Sequence, residues 1–140
     1  MARRIEDANQ FGLGLPEVVR MWRTPEDYQV PTTLPELSGV VALDFETKDP
    51  GIGRGEGSSW PLDEGFAVGC AFATDQSLLY CPIAHAAGNM DKDLFWRWLT
   101  AQAAKPDVTF VMANSPYDTG WQRRYGIRPL NAPVDVQALG

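Results

Sequence analysis

The sequence predicts an α/β domain in which a mixed sheet, an antiparallel hairpin followed by parallel strands, is flanked by helices. Three short apolar runs of strand type come first, and a polar turn joins the last two of them. An apolar stripe at helical spacing follows, and beyond it come a further strand-type run and a second helical segment. A hairpin followed by alternating helices and strands is typical of a mixed sheet covered by helices.

The predicted elements follow one another from Val40 onward. In order they are strands over 40–45, 66–73 and 78–83, a helix over 91–104, a strand over 109–112, a helix over 115–125, and a strand or helix over 134–139. Asn89 or Asp91 is the expected N-cap of the first helix. Folding the hairpin about its centre places Cys70 opposite Cys81, and we expect two buried reduced thiols rather than a disulfide.

The composition is that of one folded domain. A chain of 140 residues with 44% apolar and 21% charged side chains excludes a wholly disordered or fibrous protein. A net charge of −6 excludes a simple nucleic-acid binder coated in Lys and Arg, but it is compatible with nucleic-acid chemistry carried by a metal on carboxylates. We find no membrane-length apolar run and no secretory leader, so we expect a cytoplasmic protein with no membrane partner.

Residues 1–39 differ from the rest of the chain. Four prolines interrupt them: Pro16, Pro25, Pro31 and Pro35. No apolar period persists there for more than two turns, which predicts an N-terminal arm lying against the domain. We expect a short helical or extended piece near Pro16–Trp22, and we place the domain itself at residues 40–140.

Two acidic residues end the first strand-type run, in the segment Asp44-Phe-Glu-Thr47. Because side chains alternate along a strand, Asp44 and Glu46 point to one face and Phe45 to the other. Two like charges on one face repel one another unless a cation lies between them, and Mg²⁺ favours such carboxylate oxygens. The alternative is an exposed strand end whose carboxylates are simply solvated.

A third carboxylate opens the second predicted helix, in Asn114-Ser-Pro-Tyr-Asp118. The pattern predicts Ser115 as N-cap, a proline at N1 and Asp118 at N3, which together form a capping box. A carboxylate at a helix start can also face the first strand, so Asp118 has both a structural and a catalytic interpretation. Trp121 is expected in the core, with stacking on a base as the alternative.

Taken together, the acidic segments resemble the first two motifs of the DnaQ-like (DEDD) 3′–5′ exonucleases. They are most similar to those of the proofreading domain of family A DNA polymerases, especially phage-type ones. The resemblance covers about residues 40–140 and extends to a stretch after the third strand and to an Asp after the second motif. The matching segments are Asp44-Phe-Glu-Thr47, Tyr80-x-Pro-x-x-His85-x-x-Gly-Asn89, Asn114-x-x-Tyr-Asp118 and Asp135.

The resemblance implies a ribonuclease H-like fold and a hydrolase that removes the terminal 3′ nucleotide of single-stranded DNA, as in proofreading during DNA replication. It implies two Mg²⁺ or Mn²⁺ ions, with Asp44 on both, Glu46 on the ion that carries the attacking water, and Asp118 on the second. The substrate-binding residues expected beside these motifs are Phe45, Thr47, Asn114 and Tyr117.

Other residues have alternative interpretations. The glycine-rich stretch Gly51–Gly57 lacks the spacing of a phosphate-binding loop, so we expect a flexible surface loop, with contact of Arg54 to a substrate strand as the alternative. Arg123 and Arg124 could contact the phosphates of a single strand or form a solvated helix face. The only histidine, His85, is expected to have a structural role in its loop.

The family's third motif, a Tyr or His four residues before a catalytic Asp, does not occur before Gly140. We therefore expect either a fragment of a longer polymerase or exonuclease, with a polymerase domain in the parent protein, or a C-terminally truncated protein with impaired activity. In both cases the second ion should bind weakly. The alternatives are a catalytically silent nucleic-acid-binding or structural fragment of the same fold, and another metal-dependent phosphoesterase. A phage-encoded protein of this kind would act in the host cytoplasm.

Overall fold

The computed structural model describes residues 27–139. The strands in this part of the chain are β1 (Gly39–Lys48), β2 (Phe66–Ala73), β3 (Leu78–Pro82), β4 (Val108–Met112) and β5 (Val134–Asp135). The helices are α1 (Pro50–Arg54), α2 (Lys92–Ala103) and α3 (Ser115–Arg124), and two 3₁₀ turns span Trp60–Leu62 and Val136–Leu139. Across residues 27–139 no helix is both long and apolar enough to cross a bilayer.

The strands form one mixed sheet in the order β3-β2-β1-β4-β5. β2 pairs antiparallel with both β1 and β3, whereas β4 lies parallel to β1 and β5 lies parallel to β4. The predicted mixed sheet flanked by helices is therefore confirmed. The parallel pairing of β1 with β4 ends at Ala42 and Val111, so the last part of β1 extends beyond its neighbour.

One face of the sheet carries the core. Along β1 the buried residues Val41, Leu43 and Phe45 alternate with the exposed residues Ala42, Asp44 and Glu46. α2 covers the buried face, where Phe95 is fully buried and contacts the ring of Phe72 at a centroid distance of 6.3 Å. The Asp91 side chain caps α2 by accepting hydrogen bonds from the next turn, which confirms one of the two predicted N-caps.

The β2–β3 hairpin has the predicted register. Cys70 lies directly opposite Cys81, and both are buried free thiols. Burial raises the pKa of the Cys81 thiol to about 12 and that of Cys70 well above its ordinary value. Both thiols are therefore protonated and unreactive at neutral pH.

The segment before β1 packs against α2. The indole N–H of Trp98 donates a hydrogen bond to the Pro35 carbonyl oxygen at 2.7 Å. The Leu37 backbone N–H donates to the Gln102 side-chain oxygen, also at 2.7 Å. The predicted helical or extended piece near Pro16–Trp22 lies outside the described residues.

Three local predictions differ from the structure. β1 continues to Lys48, past the predicted end at residue 45, because its pairing with β2 continues to Phe66. The stretch Gly51–Gly57, expected as a flexible loop, begins as helix α1, because Asp49 caps the helix and a proline follows the cap. The segment over 134–139 divides into the short strand β5 and a 3₁₀ turn.

α3 approaches the Trp60 ring closely at Gly120. A Cβ atom at this position would lie 2.1 Å from the ring of Trp60. Only glycine therefore lets the 3₁₀ turn Trp60–Leu62 rest on the helix. An ion pair between Arg124 and Asp63, 3.0 Å long, joins the same two elements.

We expect Gly120→Ala to lower the free energy of unfolding by about 1–3 kcal/mol, because the added methyl group must displace the Trp60 ring. Urea unfolding followed by circular dichroism measures this loss. Gly53→Ala is the matched control, since this helical glycine has nothing within 4 Å of a Cβ atom, and it should be neutral or slightly stabilising. Equal losses in the two variants would show that Trp60 moves aside without cost.

Candidate active site

Two exposed carboxylates lie on the last part of β1. Asp44 and Glu46 occupy its exposed face, as the alternation predicts, while Phe45 between them is buried. The pairing of β1 with β2 shifts register between Glu46 and Thr47. Such an irregularity bends a strand and increases its local twist, here directly after the second carboxylate.

Asp118, in the first turn of α3, brings a third carboxylate to the same part of β1. Its Oδ1 accepts a hydrogen bond from the Phe45 backbone N–H at 2.9 Å, and the residue is only 2% exposed. This N–H lies beyond the end of the β1–β4 pairing, so Asp118 takes the place that a strand acceptor would otherwise fill. The Asp118 carboxylate therefore contacts the backbone of β1 between Asp44 and Glu46.

The start of α3 differs from the predicted capping box. Asn114, with φ at 57°, is the N-cap and makes no side-chain capping hydrogen bond. Asp135 of β5 accepts instead, from the Asn114 N–H at 3.2 Å and from the Ser115 N–H at 2.9 Å. The prediction of Ser115 as N-cap is wrong because the neighbouring strand supplies the capping carboxylate. Asp118 is then not needed as a cap, and its Oδ1 is bonded to β1.

Neighbouring negative charges act on Asp118 and Glu46. Burial, and then the charges of Asp44 and Glu46, raise the pKa of Asp118 from its ordinary value of 3.8 to about 6, although the Phe45 N–H lowers it in part. Burial and then the Asp44 charge raise the pKa of Glu46. Like charges disfavour the ionised form of a carboxylate, and a cation among them would have the opposite effect.

Tyr117 joins the first turn of α3 to the end of β1. Its hydroxyl donates a hydrogen bond to Asp49 Oδ2 at 3.1 Å and lies 2.5 Å from the Thr47 hydroxyl. Because an ionised carboxylate only accepts, the Thr47 hydroxyl must donate to Tyr117. The structure thus brings together two predicted substrate-binding residues and adds Asp49, which the sequence analysis missed. The order Asp49-Pro50, an N-cap pattern, was the available signal.

The other predicted substrate-binding residues on β1 and α3 do not gather at one point. The ring of Phe45 is buried and stacks on Trp96 at a centroid distance of 6.1 Å, so only its backbone faces the carboxylates. Asn114 is exposed at the start of α3. Trp121 is fully buried, which confirms its predicted place in the core.

The arginines differ in their partners. Arg54 and Arg124 form ion pairs with acidic residues between β1 and β2, so neither side chain projects freely toward a ligand. The pairs are Arg54 with Glu56 and Glu64, and Arg124 with Asp63. Arg123, by contrast, is exposed on α3. Arg123 takes no part in these three ion pairs, and its exposed position on α3 can be reached by a nucleic-acid strand.

An apolar groove of about 620 Å³ lies beside Asp44 on the exposed face of the sheet. Its lining combines several small side chains with two tyrosines. The lining includes Tyr28, Ala42, Asp44, Ala71, Ala73, Tyr80, Val111, Ala113 and Val136.

His85 helps to close the loop after β3. Its ring lies 2.5 Å from the Tyr80 hydroxyl, and its backbone forms hydrogen bonds with the Asn89 side chain.

The donor chemistry of the three carboxylates suits a divalent cation such as Mg²⁺, which binds carboxylate oxygens. Within residues 27–139, however, no three His, Cys, Asp or Glu side chains form a group that could hold a metal ion as they stand. Asp118 is fixed by its hydrogen bond, whereas Asp44 and Glu46 are exposed and can change rotamer. Sharing an ion requires these two side chains to turn toward Asp118.

No model of a known protein family matches this chain, and no curated protein matches it either. The function of this chain is therefore inferred from the three carboxylates themselves. Their relevant properties are the burial of Asp118, its hydrogen bond to β1 and the negative charges around it.

We expect the free energy of unfolding to fall as the pH rises from about 4 to about 6, by up to about 3 kcal/mol from Asp118. In this pH range Asp118 is deprotonated in the unfolded chain but still protonated in the folded protein. The stabilisation that Asp118 provides below pH 4 is therefore lost as the pH rises through its folded-state pKa. Asp118→Asn, which does not titrate, should lack this loss. Urea titrations from pH 4 to 7 measure it, and parallel pH dependences in both proteins would contradict it.

Proposed function

We propose that this chain is a metal-dependent phosphodiesterase of the 3′–5′ exonuclease type, acting on the 3′ end of single-stranded DNA. The observation that carries the proposal is the hydrogen bond from Phe45 N–H to Asp118 Oδ1, which holds a buried carboxylate between two exposed ones. The strand order and directions support the finer classification as a ribonuclease H-like sheet. A polymerase domain in a longer parent protein is the proposed partner.

Asp44, Glu46 and Asp118 would hold Mg²⁺ or Mn²⁺. Bound divalent ions supply an activated water and charge stabilisation at the leaving oxygen. Asp118 is the pre-positioned member, because its carboxylate is already bonded to the backbone of β1. Asp44 and Glu46 lie on the exposed face, where a terminal phosphate can approach.

Charge makes substrate binding depend on the metal. The site presents three carboxylates, and the whole chain carries a net charge of −6, so a DNA phosphate is repelled unless cations offset these charges. Thr47 and Tyr117 adjoin the carboxylates in sequence and are bonded to each other, which supports a role in orienting the terminal nucleotide. Arg123 is the exposed cation on α3 that could contact a phosphate further along the strand.

A second candidate function is a nucleic-acid-binding module without activity. One observation favours it: among residues 27–139 no group of acidic, His or Cys side chains stands ready to hold a metal ion. In this case the protein would bind single-stranded DNA, and neither Mg²⁺ nor Mn²⁺ would lead to cleavage. The two functions therefore differ in their response to added metal.

Incubation of 5′-labelled single-stranded DNA with the protein and Mn²⁺ should give products shortened stepwise from the 3′ end. Asp44→Asn should slow cleavage by about 100-fold or more, because each 1.36 kcal/mol of lost transition-state stabilisation is tenfold in rate. Asp75→Asn, which removes a carboxylate from the exposed β2–β3 turn, is the matched control and should keep the full rate. Equal cleavage by wild type and Asp44→Asn would overturn the proposal.

Mn²⁺ should also raise the melting temperature of the wild-type protein, because a ligand that binds only the folded state stabilises it. Differential scanning calorimetry with and without Mn²⁺ measures the shift. Asp44→Asn and Asp118→Asn should lose most of this shift, and Asp75→Asn should retain it. An equal shift in all four proteins would place the bound Mn²⁺ away from the three carboxylates and count against the proposed site.

A further inference from the structure

Asp49, directly after β1, accepts hydrogen bonds from two different parts of the chain. Its Oδ1 accepts from the backbone N–H groups of Ile52 at 3.3 Å and Ser59 at 3.0 Å. Its Oδ2 accepts from the hydroxyl of Tyr117 at 3.1 Å. One oxygen therefore holds the segment that follows β1, and the other holds the first turn of α3.

The segment that Asp49 holds is itself tightly packed. Ser59 is fully buried, and its Oγ accepts a hydrogen bond from the Gly51 N–H at 2.7 Å. A Cβ atom at position 51 would lie 2.5 Å from the Gly57 carbonyl oxygen and 2.6 Å from Ser59 Oγ. Hydrogen bonds from this closely packed segment hold Asp49 in place. Asp49 can therefore fix the position of the Tyr117 hydroxyl, which is bonded to its Oδ2.

The Oδ2 atom of Asp49 is bonded to Tyr117, which lies next to the candidate site. Tyr117 immediately precedes Asp118 in the first turn of α3, and its hydroxyl also receives the hydrogen bond from Thr47, which immediately follows Glu46. The chain of hydrogen bonds from Asp49 through Tyr117 to Thr47 therefore joins the neighbours of two of the three carboxylates. A displacement of Tyr117 would move Asp118 with it, since both belong to one helical turn.

We propose that Asp49 is a positioning residue, which acts through Tyr117 to hold the Asp118 carboxylate against β1. Its importance for catalysis rests on the proposed function, whereas its effect on the place of Asp118 does not. The Phe45 N–H reports that place directly, because Asp118 Oδ1 is its acceptor. Hydrogen exchange at this one amide, measured by NMR, therefore tests the proposal without metal or DNA.

Asp49→Ser keeps an N-cap side chain for α1 but is too short to reach Tyr117, and Tyr117→Phe removes only the hydroxyl. Each should speed exchange at the Phe45 amide by about tenfold, and the double variant should be no faster than either. Asp49→Asn should restore much of the protection, because its amide can donate to the Tyr117 hydroxyl in the reverse direction. Asp91→Ser, the same change at the N-cap of α2, is the matched control and should leave Phe45 unchanged.

Unchanged exchange at Phe45 in Asp49→Ser, in a protein that unfolds at the wild-type urea concentration, would overturn the proposal. Effects of Asp49→Ser and Tyr117→Phe that add in the double variant would also overturn it. Should Asp49→Ser fail to fold, Tyr117→Phe decides alone, because it leaves in place the hydrogen bonds that Asp49 accepts from Ile52 and Ser59. An unchanged Phe45 amide in Tyr117→Phe is then the contradicting result.

The cleavage assay provides the catalytic test. Asp49→Ser should raise the Mn²⁺ concentration for half-maximal cleavage by about tenfold, whereas Asp91→Ser should leave it unchanged. An unchanged Mn²⁺ concentration for half-maximal cleavage in Asp49→Ser would overturn positioning of a metal ligand. Wild-type protein without Asp44-dependent cleavage would overturn the proposed function only, because exchange at Phe45 still decides whether Asp49 positions Asp118.

Discussion

The hydrogen bond between the Phe45 N–H and Asp118 links the fold of this protein to its candidate chemistry. β4 pairs with β1 only as far as Ala42, so beyond this point the edge of β1 that faces away from β2 needs acceptors from elsewhere. A carboxylate in the first turn of the next helix meets that need, and the positive end of the helix dipole favours its charge. Because β1 extends beyond β4, Asp118 can bind the edge of β1 beside the exposed carboxylates Asp44 and Glu46.

The other acidic side chains near the hydrogen bond between Phe45 and Asp118 have different structural roles. Asp135 caps α3 from the neighbouring strand, and Asp49 ties α3 to the end of β1. Hydrogen bonds from the backbone N–H groups of Ser115 and then Gln137 lower the pKa of Asp135, so it is ionised throughout the neutral range. The carboxylates that serve the structure are thus satisfied by donors within the protein, whereas Asp44 and Glu46 remain on the exposed face.

Elements with a strong local pattern were predicted well. The alternation along β1, the register that pairs Cys70 with Cys81 and the capped helix α2 follow from spacing alone. Capping of α3 by Asp135 could not be predicted, because it depends on two segments that meet only in the folded sheet. The bond from Asp118 to β1 is also a tertiary contact, so the sequence indicated the acidic motifs but not how they meet. The groove beside Asp44 likewise requires strands distant in sequence.

The left-handed backbone of Asn114 has a consequence for genetic studies of this protein. Asparagine tolerates this conformation far better than most residues, and glycine tolerates it best. Most replacements here would strain the entry into α3 and disturb Asp118 whether or not the amide touches a nucleotide. Intolerance to substitution at this position would therefore be poor evidence for ligand contact, and glycine is the informative replacement because it removes the amide and spares the backbone.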